Sequence, residues 1–239
     1  MDEANHRAPH EHDHKHPDVS GGWLRAAVFG AMDGLVSNIS LIAGIGAAGA
    51  SSGTIVLTGV AGLVAGSFSM ALGEYTSVKT QNEQVDSELA IERAAHERNP
   101  AGELNELKVA FVSMGMSTET AEVAATEVHK NNKNAPRLHI THELGLDPET
   151  KPSPWVAAVS SFATFASGAF VPLIPYAFGF DSLVAGLAVG AVGLLIAGGL
   201  TARFTRKLWW RSALRQLILG AIAVAATYSV GLLFGVSGA

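Results

Sequence analysis

The chain has 239 residues, with 16 Lys and Arg against 21 Asp and Glu, a net charge of −5, 26 Gly, no Cys and 48% hydrophobic residues. An acidic balance excludes a nucleic-acid partner, which needs a basic surface, and the lack of cysteine excludes a disulfide framework or thiolate metal site. Charge is also segregated. Outside residues 1–22 and 79–154 the charged side chains are only Arg25, Asp33, Glu74, Asp181, Arg203, Arg206, Lys207, Arg211 and Arg215. This is the pattern of an all-α membrane protein, with long charge-poor stretches that need no water.

Residues 1–22 read as a His-rich flexible cytoplasmic tail. Its run His6-Arg-Ala-Pro-His-Glu-His-Asp-His-Lys-His16 alternates imidazoles with acids, a composition suited to gathering metal ions. Two spans follow within 23–78, at about Trp23–Ala48 and Ile55–Val78. Three more lie within 155–239, at about Trp155–Phe178, Leu183–Ala202 and Leu214–Phe234. Each approaches the roughly 20 apolar residues that cross a hydrocarbon core as a helix. Strand-like alternation is missing, so five transmembrane helices are expected rather than a barrel. The first span has no cleavage-type ending and reads as a retained helix, not a signal peptide.

With five crossings, all 16 Lys and Arg fall on one side, in the tail and Arg25, the 79–154 segment, and the stretch from Arg203 to Arg215. Cytoplasmic loops collect such residues, which puts the N-terminus inside and the C-terminus outside, in a multi-pass membrane protein. Trp23, Trp155, Trp209 and Trp210 all stand at the inner ends of spans, as interfacial anchors do. Gly30/Gly34, Gly62/Gly66 and Gly186/Gly190 repeat at four-residue spacing, which favours a tight bundle and a dimer. Pro172 and Pro175 are expected to kink the third span and leave carbonyls in need of partners.

Acids inside a membrane helix are costly, about 2.5–3.5 kcal/mol on insertion scales, and normally face a polar path. Asp33 lies ten residues into the first span, with Ser37 one turn on and Asn38 beside it. In the second span Met70 and Glu74 are four apart, with Glu74 nearer the cytoplasmic end. Hard oxygens plus one thioether suit a borderline divalent transition metal. Asp33, Ser37, Asn38, Met70 and Glu74 are therefore the candidate translocation path.

The 79–154 segment reads as a cytoplasmic helical metal-binding domain inserted between helices 2 and 3. Its helices are expected at about Val78–Arg98, continuing the second span, then Ala101–Met114, Thr118–Lys130 and Pro136–Gly145. Glu88/Glu92 and Glu103/Glu106 each share a helical face, and His139, His142 and Glu143 stand at i, i+3, i+4. Carboxylate with imidazole suits Fe(II), Mn(II) or Zn(II), although acidic helices are commonly just solvated faces. The phosphate-loop, nucleophile-elbow and zinc-protease motifs are missing from the sequence, so it is not read as an enzyme, and an ion gradient would have to supply energy.

Arg25-Ala-Ala-Val-Phe-Gly-Ala-Met-Asp-Gly-Leu-Val-Ser-Asn38 and Phe68-Ser-Met-Ala-Leu-Gly-Glu-Tyr-Thr-Ser-Val78 resemble the first two membrane helices of the vacuolar iron transporter family. Ser153-Pro-Trp, Gly168-Ala-Phe-Val-Pro-Leu-Ile-Pro175 and Arg211-Ser-Ala-Leu-Arg-Gln-Leu-Ile-Leu-Gly220 are similar to its later signatures, and the match spans about 21–236. The resemblance implies a five-helix homodimer of bacterial type, with no tightly bound cofactor. It would move Fe(II), and often Mn(II), out of the cytosol in exchange for protons. Asp33 and Met70 would line its path. The family's metal-binding positions would fall at Glu92, Ala95, Glu103, Glu106, His139 and Glu143, with Ala95 in place of a carboxylate and His139 in place of a thioether. His96, Glu97 or His142 would compensate. A membrane-anchored metal buffer or sensor, binding ions without transport, is the alternative the residues leave open.

Overall fold

The computed structural model describes residues 23–130, 135–145, 149–205 and 207–236, without the side chains of Glu143, Leu144, 203–205 and Val236. The His-rich tail and the Glu143 side chain therefore lie outside the described residues. The described residues form helices and connecting turns, with no strand. In chain order the helices are α1 (Trp23–Ala47), α2 (Ser52–Arg98), α3 (Pro100–Ser113), α4 (Thr118–His129), α5 (Ala135–Leu144), α6 (Pro154–Phe170), α7 (Ile174–Ala177), α8 (Leu183–Thr205) and α9 (Trp209–Val236).

Five segments are long and apolar enough to cross a bilayer: α1, the first half of α2, α6 with α7, α8 and α9. The first two are joined by a tight turn. Gly49 has φ +82°, and Ser51 caps α2 by accepting a hydrogen bond from the Thr54 amide at 3.3 Å. At the far end of α2, Asn99 both ends the helix and caps α3, with Pro100 at the first helical position. The break expected at Asn99-Pro100 is present.

The bundle closes around α1 and α6. A Cβ on Gly34 would run into the Phe165 backbone, and one on Gly168 into the Ala31 carbonyl. These helices thus touch backbone to backbone, which only glycine permits. Gly30 meets Ser161 and Thr164 of α6, Gly66 meets the Phe165 ring, and Gly190 meets Ile39. Members of all three small-residue pairs thus pack against neighbouring helices of the same chain. Ile42, Ile55, Leu173 and Tyr176 form the core toward the far side. Ala26, Val78 and Ala157 form a smaller one near the Trp-bearing ends.

The third span is not one helix. Val171–Leu173 make a turn of 3₁₀ helix between α6 and α7, with Pro172 and Pro175 each near the start of the new segment. A proline removes a donor and frees carbonyls one turn back. The Ala169 carbonyl is taken by the Asn38 side-chain amide at 2.5 Å.

Beyond the bundle α2 continues without interruption, giving 47 residues and about 70 Å of helix at 1.5 Å per residue. α3 and α4 pair through Leu107, Phe111, Ala121 and Ala125. Lys108 reaches Glu122 across that pair at 2.6 Å. Farther along, Asn82 donates to the Pro152 carbonyl at 2.9 Å and Lys151 pairs with Asp86, fastening the return of the chain to α2.

Candidate metal centre and membrane groove

A groove of about 440 Å³ runs between α1 and α2, lined by Asp33, Ser37, Met70, Glu74, Ser69 and Ser77 among others. Asp33 lies ten residues, about 15 Å, along α1 from Trp23, well inside a helix long and apolar enough to cross a bilayer. Its Oδ1 accepts from the Ser37 hydroxyl at 3.0 Å, one turn on. Met70 and Glu74 face the groove from α2. Gly62, Gly66 and Gly73 leave room for it on that helix. Glu74 is 8% exposed and paired with Arg25, whose Nη2 donates to Oε2 at 2.9 Å. Lys79, the neighbour in sequence, instead approaches Glu83 at 3.8 Å.

The structure thus brings together four of the five path residues singled out in the sequence. Asn38 is the one set apart. It is 2% exposed, does not line the groove, and spends its amide on the Ala169 carbonyl at the break in the third span. Arg25, Ser69 and Ser77 were not singled out. Arg25 was findable, because it and Glu74 each sit within about one turn of the same end of the first two expected spans, Trp23–Ala48 and Ile55–Val78.

A second site stands where α2, α3 and α5 meet beyond the bundle. Single donor atoms of Glu92, His96, Glu103 and His139 all lie within 4.8 Å of one another. His139 Nδ1 is 3.3 Å from Glu92 Oε1 and 3.8 Å from Glu103 Oε2. His96 Nδ1 is 3.5 Å from the first and 3.7 Å from the second. The same nitrogen lies 3.2 Å from the Glu92 carbonyl, a helical i−4 contact. Imidazoles and carboxylates therefore alternate around a common centre. His139 is 3% exposed, and its Nε2 and the Nε2 of His96 are buried without a hydrogen-bond partner. Burial lowers the His139 pKa below the ordinary imidazole value, and nearby His96 pushes the same way against the opposing Glu103 and Glu106 carboxylates. That favours the neutral ring, the form that ligates metals.

The remaining candidates are arranged around this group rather than in it. Glu106 and His142 are exposed and line a separate cavity of about 240 Å³ with His139. Glu88 is half-buried on α2 and stands outside the converging four. His129, which the sequence reading passed over, stacks on His96 with ring centroids 5.1 Å apart. Its position at the end of α4 bears no helical spacing to the other ligands, so only the fold reveals it.

Residues 24–232 match the model of the VIT family. The chain belongs to that family. It is 35% identical over 225 residues to "Vacuolar iron transporter" of Acanthamoeba castellanii, covering 92% of this chain and 82% of the relative. It is 34% identical to "Vacuolar iron transporter homolog 1" of Oryza sativa subsp. japonica, covering 90% and 75%. It is 30% identical to "Vacuolar iron transporter 1" of Arabidopsis thaliana, covering 91% and 88%. The family resemblance drawn from the first two membrane helices is thereby established over most of the chain, and these relatives carry the names of transporters rather than enzymes.

Proposed function

We propose that this VIT-family chain transports Fe(II), and also Mn(II), out of the cytosol across the cell inner membrane in exchange for protons. The observation that carries this reading is the groove holding Asp33, Ser37, Met70 and Glu74 between two helices long and apolar enough to cross a bilayer. A carboxylate, a hydroxyl, a thioether and a second carboxylate form a ladder of donors for a soft-to-borderline divalent ion. In this reading 79–154 is a cytoplasmic domain, and Glu92, His96, Glu103 and His139 capture the ion. Glu106, His142 and Glu88 stand around that centre as auxiliary acids and an imidazole, and Glu143, whose side chain lies outside the described residues, joins this reading from its sequence spacing alone. The ion then displaces Arg25 from Glu74 and descends to Met70 and Asp33. Protonation of Asp33 from the outer side neutralises its charge and releases the ion.

Orientation follows from the basic residues, with the tail and 79–154 inside and the C-terminus outside. A homodimer is part of the proposal. Ser37, Ser69, Gly73 and Ser77 are exposed in the single chain, along a stretch that would otherwise face hydrocarbon. Polar groups and a carboxylate do not face lipid tails without cost, so a second copy laid over the groove would shield them.

The test is purified protein in liposomes, with Fe(II) and Mn(II) uptake followed by quenching of an internal chelating dye and proton movement by a pH dye. Metal uptake that rises with an opposing proton gradient, and vanishes in Asp33→Ala, is expected. Flux indifferent to the gradient would remove the antiport. Metal binding with no flux at all would leave a membrane-anchored buffer or sensor.

A further inference from the structure

In the transport reading above, on which this inference rests, an arginine must leave Glu74 before metal can reach it. A groove built to attract cations gains nothing from that obstacle unless the obstacle discriminates. Asp33 and Glu74 are the acids among the described residues lining the groove, and no Lys or Arg lines it with them. Two bare carboxylates would draw in K⁺ and Na⁺ as well as metals. We propose that Arg25 is a resident counter-ion that bars monovalent cations from the groove. It holds the Glu74 carboxylate until a divalent ion, with twice its charge, displaces it into a cleft beside α9.

The pair joins the two helices that wall the groove. Arg25 is the third residue of α1, and its Nη2 donates to Oε2 of Glu74 on α2 at 2.9 Å. Met70 lies about one turn further from the inserted helices along α2, and Asp33 about two turns beyond Arg25 along α1. The pair therefore stands ahead of both on the way in from the inserted helices. Its partners are unequal, with the Arg25 side chain 66% exposed and that of Glu74 10%. The glutamate is the fixed, desolvated member and the arginine the one with room to swing.

A second seat for the guanidinium exists. α1 and α9 meet backbone to backbone at Gly44 and Gly231 and stand apart toward their first residues. The gap is a cleft of about 590 Å³, lined by Arg25, Val28, Phe29 and Met32 of α1 and by Gln216 of α9. Phe29 borders both the cleft and the groove, so its ring partitions them. On the far side of that ring Arg25 shares the cleft with the Gln216 amide, whose oxygen is an acceptor.

Charge decides what can evict the arginine. Coulomb attraction scales with the product of the charges, so at equal distance a divalent ion draws Glu74 twice as strongly as a guanidinium or K⁺. A monovalent ion brings no more charge than Arg25, forfeits a charge-assisted hydrogen bond, and must shed water to reach a buried carboxylate. A divalent ion sheds more water, but the Met70 thioether and the Glu74 and Asp33 carboxylates replace it. Choice among divalent ions belongs to those donors. Arg25 sets the charge threshold.

The chain has no cysteine, so Ser69→Cys places a lone reporter thiol in the groove, five residues deeper than Glu74. Full-length protein in vesicles, with the inserted helices facing out, is labelled with a cationic thiosulfonate and with a neutral one of similar size. The cation-to-neutral ratio of labelling rates reads monovalent access. Arg25→Gln should raise that ratio about tenfold or more. Arg25→Lys should keep it near the parent value, and Arg25→Gln/Glu74→Gln should return it there. Gln216→Glu sets a rival carboxylate in the cleft and, with Arg25 and Glu74 both present, should raise the ratio about threefold. In liposomes, excess K⁺ should leave Mn(II) uptake by the parent unchanged and suppress it in Arg25→Gln.

An unchanged ratio in Arg25→Gln overturns the proposal. A rise in Arg25→Lys equal to that in Arg25→Gln also overturns it, because charge would then not be the bar. Should Arg25→Gln not fold, Gln216→Glu decides, and an unchanged ratio there overturns the proposal. A ratio raised as expected, in protein that takes up no Mn(II), supports the bar and overturns the transport reading.

Discussion

Asp33 and Asn38 stand five residues apart on α1, and both looked like path residues because both are polar inside an apolar helix. Their surroundings separate them. Asp33 faces the groove with Ser37, whereas Asn38 is sealed between helices and bonded to the Ala169 carbonyl. Asp33→Asn should therefore abolish metal flux with little change in thermal unfolding. Asn38→Ala should do the reverse, costing about 1–3 kcal/mol because it strands a buried carbonyl, while the protein that folds still transports. Thermal unfolding in detergent, set beside liposome flux for each variant, checks the pair. Sequence periodicity could say which side chains share a helical face. It could not say which neighbouring helix had been broken by prolines and needed an amide. The same limit hid His129, since a stack between residues 33 positions apart leaves no trace in spacing.

The helices carry the next set of expectations. At the α1–α6 crossing the backbones meet at Gly34 and Gly168, and a larger residue must push whole helices apart. Gly34→Val is expected to destabilise by about 1–3 kcal/mol or more, since the obstruction is backbone and cannot rotate away. Lower yield and earlier aggregation on heating would register it. The α3–α4 pair offers a pH test. Hydrogen bonding and charge attraction from Lys108 hold the Glu122 carboxyl below its ordinary pKa. Such a group adds stability above its unfolded pKa and withdraws it as pH falls through the lower folded value. Lys108→Gln should thus melt earlier than the parent near neutrality, with the gap closing in acid once Glu122 is protonated in both. Helix positions were legible throughout, because apolar length marks the spans and Asn-Pro and Ser-Thr patterns mark the caps. The third span was legible as kinked but not as two helices around a 3₁₀ turn. A proline states that a donor is missing, and tertiary contacts decide how the chain responds.

For the molecule as a whole, the partition of charge in the sequence sufficed to separate five apolar segments from the inserted helices, because desolvating charge in lipid is too expensive to be ambiguous. What it withheld was which of the acids converge. Glu103 and Glu106 share one helical face, yet one joins the buried group while the other opens outward, a choice made by the packing of α5. The dimer proposal belongs at this scale. Cross-linking through cysteines placed at Ser69 or Ser77, which are exposed along the groove, should join two chains in membranes, and failure at both would argue that lipid covers this flank.

The unbroken α2 also sets a clock between two distant carboxylates. Glu74 and Glu92 are eighteen residues apart, which is five whole turns at 3.6 residues each, so they emerge on the same meridian of one rod, about 27 Å apart. Twisting the rod at either carboxylate swings the other through an equal arc, without any relay of side chains. One alanine spliced between them would turn their bearings about 100° out of phase while leaving each neighbourhood's composition intact. A protein so altered should still take up ions at its broad end, and should lose the hand-over to the membrane.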